Sequence, residues 1–155
     1  MSGVRVSDDV KLLFNKMKVV KSSDAEEDRI RLVILHIEDE IKVEKCYVQK
    51  DLEGKGDVFK FLQSLLLKDE CRYILYDCHF ETKESSKKEE LVYIMWAPAT
   101  AKIKSKMQYA SSKTAIDSVV QGVKHKLQIN DLSDIDRVEF AEKLGNPITL
   151  EGHSI

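Results

Sequence analysis

The spacing of apolar residues changes several times along the chain, and each change marks an element. Val10, Leu13, Phe14 and Met17 recur at i, i+3, i+4 and i+7, the stripe of an amphipathic helix. Ser7 stands ahead of it as a candidate N-cap, with Asp8 and Asp9 near the positive end of the helix dipole. Residues 31–37 and 41–48 are β-rich and separated by Glu38-Asp39-Glu40, which predicts a hairpin. Gly54 and Gly56 then break the chain, and Asp57 caps a second helix carrying Val58, Phe61, Leu62 and Leu65. Residues 72–82 alternate, with Ile74, Tyr76, Cys78 and Phe80 on one face and Tyr73, Leu75, Asp77 and His79 on the other. Residues 91–97 are apolar on both faces, the pattern of a central strand covered by helices on two sides.

The charged run 83–90 between those two strands reads as a hairpin tip. Pro98 ends the second strand, and a long helix over about residues 102–121 follows. Residues 123–130 alternate again, with Val123, His125, Leu127 and Ile129 inward and Lys124, Lys126 and Gln128 outward. A closing helix is expected from Ser133, with Asp136 at capping-box spacing, to Gly145, and residues 148–150 add a short edge strand. Residues 1–6 lack any local partner and read as a mobile arm ahead of a single domain spanning 1–155. The sum is an α/β fold, a mixed five- to six-stranded sheet sandwiched between helices. The long helix joins its flanking strands as a right-handed parallel crossover.

That long helix does not close on itself. With Lys102 at zero and about 100° per residue, Ile103, Met107 and Ala110 fall at roughly 80–140°. Ile116, Val119, Val120 and Val123 fall at roughly 260–360°. If the second, more β-branched arc anchors the core, Ile103 and Met107 are left outside between Lys104 and Lys106, an apolar patch rimmed by cations. The alternative is a helix kinked at Ser111-Ser112, both halves of which pack internally.

Composition narrows the function. The chain has 155 residues, 43% of them hydrophobic, with 25 Lys+Arg against 27 Asp+Glu and a net charge of −2. Near-balanced charge argues against a dedicated nucleic-acid binder. The stretch from Lys102 to Lys126 carries six lysines and one acid, so +5 there sits on a body of −7, a pattern suited to docking an anionic partner. Short apolar runs and the absence of a leader pattern read as a soluble intracellular chain. Cys46, Cys71 and Cys78 lack disulfide or zinc spacing and are expected as reduced thiols, at least two of them buried. No Gly-rich phosphate loop, metal-spaced histidines or paired catalytic carboxylates appear, so neither an enzyme, a metal site nor a cofactor is expected. Cys78 and His79 are consecutive strand residues on opposite faces and cannot form a nucleophile-base pair. His125 is expected close to Glu89 or Glu90 at the acidic end of the hairpin.

The run from Lys104 to Lys113 (KSKMQYASSK), with Trp96-Ala97-Pro98 before it and Val123-Lys124-His125 after it, resembles the ADF/cofilin family of actin-depolymerising proteins. The likeness extends to Ser2-Gly3-Val4, Met17-Lys18-Val19, Lys21-Ser22-Ser23, Cys71-Arg72-Tyr73, Glu81-Thr82-Lys83-Glu84-Ser85 and Ala141-Glu142-Lys143-Leu144-Gly145. It implies the actin-depolymerising factor homology (ADF-H) fold and a monomeric protein that binds actin monomers and ADP filaments and severs the filaments. The monomer surface would comprise Ser2, Gly3, Val4, Ile103, Lys104, Lys106, Met107 and Ser112. A filament-only surface would comprise Lys87, Lys88, Asp136, Arg137 and Glu142. Lys104, Lys106, Lys124, His125 and Lys126 would meet phosphoinositides, and Ser2 would be the target of a regulatory kinase and phosphatase. The location implied is the cytoplasm and cytoskeleton.

The chain departs from the family at a few places. Acidic residues at 24 and 26–28 stand where a lysine-rich nuclear-import stretch is common, and Asp117-Ser118-Val119 replace a lysine cluster. Lys102 replaces a frequent proline, and Ser85-Ser86 lengthens the hairpin tip by one residue. Two further readings stay open: an ADF-H relative that binds filament sides or an actin-related complex without severing, and a phosphoinositide-binding regulator.

Overall fold

A computed structural model describes residues 3–20, 23–84 and 86–155. The expectations that fall on Ser2, Lys21, Ser22 and Ser85 lie outside the described residues. In chain order the elements are α1 (Asp8–Lys18), a 3-10 turn (Glu26–Asp28), β1 (Ile30–Ile37), β2 (Ile41–Val48), α2 (Gln49–Leu52) and α3 (Val58–Leu65). Next come β3 (Arg72–Glu81), β4 (Lys87–Trp96), α4 (Ile103–Val119) and β5 (His125–Ile129). A second 3-10 turn (Leu132–Ile135), α5 (Arg137–Lys143), β6 (Thr149–Leu150) and β7 (His153–Ser154) complete the chain.

The sheet runs β2-β1-β3-β4-β5, antiparallel except for the parallel β4–β5 pair that the long helix was expected to join. Its two faces differ by strand parity. Leu32, Ile34, Ile74, Tyr76, Val92, Ile94 and Trp96 pack on α3 and α5 through Phe59, Leu62 and Phe140. Val33, Leu35, Tyr73, Leu75, Tyr93 and Met95 pack on α1 and α4 through Val10, Phe14, Tyr109, Ile116 and Val120. Each layer needs an apolar stripe on its helices, which is why the periodicities in the sequence located them.

Several expectations change. The expected edge strand at 148–150 is β6, which pairs with β3 at Phe80 and Glu81, and β7 pairs with β6, so among the described residues the sheet has seven strands rather than five or six. Lys87, Lys88, Glu89 and Glu90 are not a loop; they open β4 opposite residues 78–81, and just before them the Thr82 amide donates to the Ser86 carbonyl. The closing helix is divided in two. Asp131 caps the 3-10 turn, and Asp136 is itself the N-cap of α5, accepting from the Glu139 amide at 2.8 Å. Ser7 precedes α1, but its buried hydroxyl makes no capping bond. Residues 3–7 are not a free arm: the Ile41 amide donates to the Arg5 carbonyl at 2.8 Å, and the Ser7 amide donates to the Ile41 carbonyl at 2.9 Å. Cys71 and Cys78 are buried and Cys46 is exposed, all as free thiols.

The acid limb of stability follows from the ion pairs of the sheet. Burial works to raise the Asp77 carboxyl, but the His79 ring and the Arg29 guanidinium at 2.7 Å outweigh it and hold it below its ordinary value. The two hydrogen bonds from Arg72 hold Glu44 down as well. A carboxylate whose folded value is depressed contributes fully above its unfolded value, and that contribution is lost as pH falls through the folded value. Melting temperature is therefore expected to hold from pH 7 to about pH 5 and to fall steeply below about pH 4. Thermal melts across pH 7 to 3 check this; a protein equally stable at pH 3 would contradict it.

Candidate functional site

Helix α4 begins after Pro98 turns the chain out of β4. The Ala101 amide donates to the Pro98 carbonyl, and the Thr100 hydroxyl donates to the Lys68 carbonyl at 2.6 Å, which fixes the entry to the helix. The helix then runs unbroken through Ser111 and Ser112, where the Ser111 hydroxyl donates back to the Gln108 carbonyl at 3.1 Å. The alternative in which both halves pack internally is not found, since Ile103 and Met107 are exposed. Tyr109, Ser112, Ile116 and Val120 form the buried face. Tyr109 is the main rivet: its hydroxyl accepts from the Ile37 amide at 2.9 Å, its carbonyl accepts from the Tyr73 hydroxyl, and the two rings lie 5.1 Å apart. Burial above all pushes both phenols up, with Tyr109 adding to the effect on Tyr73, so both stay protonated.

With that face committed, the other apolar arc faces outward. Ile103 is 72% exposed and Met107 66% exposed. Lys102 and Lys104 flank them in solvent, whereas Lys106 folds back so that its ammonium donates to the Ala99 carbonyl at 3.1 Å. Gly3 and Val4 lie against the middle of the same helix, the Val4 amide donating to Ser112 Oγ at 3.2 Å. The exposed apolar stripe expected from the helical wheel is therefore present. An exposed stripe of this kind suits a large partner better than a small molecule, which is held in an enclosed pocket.

The other expected sites are assembled less completely. Lys87 and Lys88 are exposed at the start of β4, and Asp136 and Glu142 are exposed on α5. Arg137 turns inward, bonded to Asp57 Oδ2, donating to the Leu150 carbonyl at 3.3 Å and stacked 5.3 Å over the Phe59 ring. The five phosphoinositide candidates are split. Lys104 and Lys106 lie at the start of α4, while Lys124, His125 and Lys126 follow its far end, roughly 25 Å of helix away. His125 does meet Glu90, with Nε2 2.9 Å from Oε1, and Lys124 donates to the other oxygen of the same carboxylate at 2.8 Å. Those two contacts outweigh burial and hold the Glu90 carboxyl below its ordinary value.

A cleft of about 940 Å³ opens elsewhere, lined by Arg31, His79, Lys88, Glu89 and Glu151 among others and by no residue of α4. Its floor holds what the sequence reading missed. Arg31, 2% exposed, pairs with Glu151 at 2.5 Å, and the second Glu151 oxygen accepts from the Tyr76 hydroxyl and from the His79 amide at 3.1 Å. Among the described residues, no group of three or more His, Cys, Asp or Glu is placed to hold a metal ion, and no helix is long and apolar enough to cross a membrane.

The fold is three-layered and carries an exposed, cation-flanked apolar stripe on α4, and comparison with known proteins shows the family to which it belongs. The family model of cofilin/tropomyosin-type actin-binding proteins matches residues 3–145. The chain belongs to this ADF/cofilin family, and membership implies actin binding. A Streptomyces griseoflavus cofilin crystal structure is 31% identical, covering 91% of this chain and 98% of its own, with a TM-score of 0.72. Plasmodium berghei actin depolymerization factor 2 is 27% identical over 94% and 99%, with a TM-score of 0.77. The ADF-like UNC-60A protein of Caenorhabditis elegans is 27% identical over 92% and 94%, with a TM-score of 0.73.

Proposed function

We propose that this protein binds actin monomers and ADP filaments and severs the filaments. The exposure of Ile103 and Met107 on a continuous helix anchored through Tyr109 carries the reading. In it, those two side chains enter an apolar cleft of an actin subunit, while Lys102 and Lys104 meet acidic groups at its rim. Lys87, Lys88, Asp136 and Glu142 touch a neighbouring subunit only in the filament. A rigid body that spans two subunits and prefers one filament twist shifts the lattice towards that twist in proportion to its differential affinity. Breakage then falls at the boundaries between decorated and bare filament. A phosphate on Ser2 adds about −1.5 to −2 charge next to an acidic partner and opposes docking. Phosphoinositides compete through Lys104 and its neighbours at the start of α4, since Glu90 already engages Lys124 and His125. The site of action is the cytoplasmic cytoskeleton.

A second reading, side binding without severing, draws support from Arg137, which is withdrawn into the molecule and leaves the filament surface one cation poorer. Time-lapse imaging of ADP-actin filaments separates the two. Severing by wild type and its loss in Ser2→Glu are expected; dense decoration without new ends favours the second reading.

A further inference from the structure

Ser112 has no exposed surface, so it cannot touch another molecule from its place in α4, although the family resemblance puts it among the actin contacts. Its hydroxyl is used inside the molecule, as acceptor for the Val4 amide at 3.2 Å. One residue earlier the chain passes α4 so closely that only glycine fits. A Cβ on Gly3 would lie 2.5 Å from the Ser111 carbonyl oxygen and 2.7 Å from the Ser112 Cα, and both are backbone atoms that cannot swing aside. The residues that follow are tied down in series. The Val4 side chain packs on the core beneath α4, and Arg5 and Ser7 exchange backbone hydrogen bonds with Ile41.

The place of this crossing matters. Ile103, Met107 and Ser111 are spaced i, i+4 and i+8 and form one stripe along the helix. Gly3 lies over the end of that stripe, so the exposed apolar edge runs into the backbone of the arm. We infer that Gly3 and Ser112 are positioning residues: together they clamp the arm as an extension of the Ile103–Met107 edge, and the clamp rather than any direct contact is what they give to actin binding. The inference rests on the actin reading above. A clamped arm does not have to be ordered when the partner arrives, which is the advantage of a preorganised surface.

The test uses the full-length protein with Ser112→Ala, Gly3→Ala and the double variant. Three quantities are read: Val4 amide hydrogen exchange in the free protein, affinity for ADP-actin monomers, and melting temperature. Loss of the clamp should speed Val4 exchange by about tenfold or more in each single variant. Monomer affinity should weaken by about five- to tenfold, the scale of one hydrogen bond lost from a preorganised surface. The double variant should bind no more weakly than the poorer single one, because both release the same arm. Melting temperature should move by only a few degrees.

Faster Val4 exchange with unchanged affinity would overturn the inference, as would weaker binding with Val4 still protected, or losses that simply add. Gly3→Ala keeps the question open to refutation even if Ser112→Ala folds poorly, since Gly3 is at the surface. If wild type bound no actin monomer, the actin reading itself would fall and this inference with it; slow Val4 exchange would then report only an ordered arm.

Discussion

Replacing Met107 with glutamate is expected to abolish monomer binding while leaving the fold intact. At 66% exposure the side chain contributes little to the core, so the melting temperature should stay within about 2 °C of wild type. In the complex, the same position would force a carboxylate into an apolar cleft whose rim is acidic. Desolvating that charge without a partner, together with the lost burial of the thioether, should remove about 3–4 kcal/mol, or roughly 150- to 1000-fold in affinity. Met107→Leu, which keeps volume and polarity, should stay within about threefold of wild type. Titration of labelled ADP-actin monomers with the three proteins is the check, and equal affinities for wild type and Met107→Glu would refute the proposed edge.

The largest effect on stability is expected at Glu151, far from that edge. Glu151 adopts a left-handed backbone (φ 51°) followed by Gly152 (φ 82°), a turn that carries its carboxylate back beneath the sheet. There it neutralises Arg31 and accepts from the Tyr76 hydroxyl and the His79 amide. Glu151→Ala leaves a guanidinium buried without its counter-ion, which typically costs about 3–5 kcal/mol. For a chain of this size that corresponds to a fall in melting temperature of roughly 6–20 °C. Because residues 149–154 also cover the end of β3, their loosening should accompany the change. Chemical denaturation of Glu151→Ala and Arg31→Met/Glu151→Leu tests the assignment. The apolar pair should recover part of the loss, because it removes both charges together but still leaves the Tyr76 hydroxyl and the His79 amide without their acceptor.

What the sequence made legible, and what it hid, separates along physical lines. Residues whose environment is set by near neighbours could be read directly. The strict alternation of 72–80 assigned Ile74, Tyr76, Cys78 and Phe80 to one layer and Tyr73 and Leu75 to the other, as the structure has them. The two arcs of α4 do not coincide, which allowed either an exposed Ile103–Met107 patch or a kinked helix packed along both halves, and the structure has the patch. Features set by long-range closure could not be read. Arg31 is the extra residue where the β1–β2 register jumps between Ile30–Val48 and Leu32–Tyr47, and that bulge lets a cation enter the interior. Its partner is 120 positions away, and nothing local marks either residue as buried. The arm looked free for the same reason. Its partners are Ile41 and Ser112, and the only local sign was a glycine at position 3, which also fits a flexible end.

The central claim, that the outward stripe of α4 is where actin docks, is tested most directly by hydroxyl-radical footprinting of Met107. Met17 and Met95 are buried and serve as internal controls, while Met107 stands in solvent and should oxidise rapidly in the free protein. Saturating ADP-actin monomers are expected to suppress Met107 oxidation by about tenfold or more while Met17 and Met95 stay slow, given the burial of an interface centre. Unchanged Met107 oxidation in a complex shown to be saturated would contradict the account.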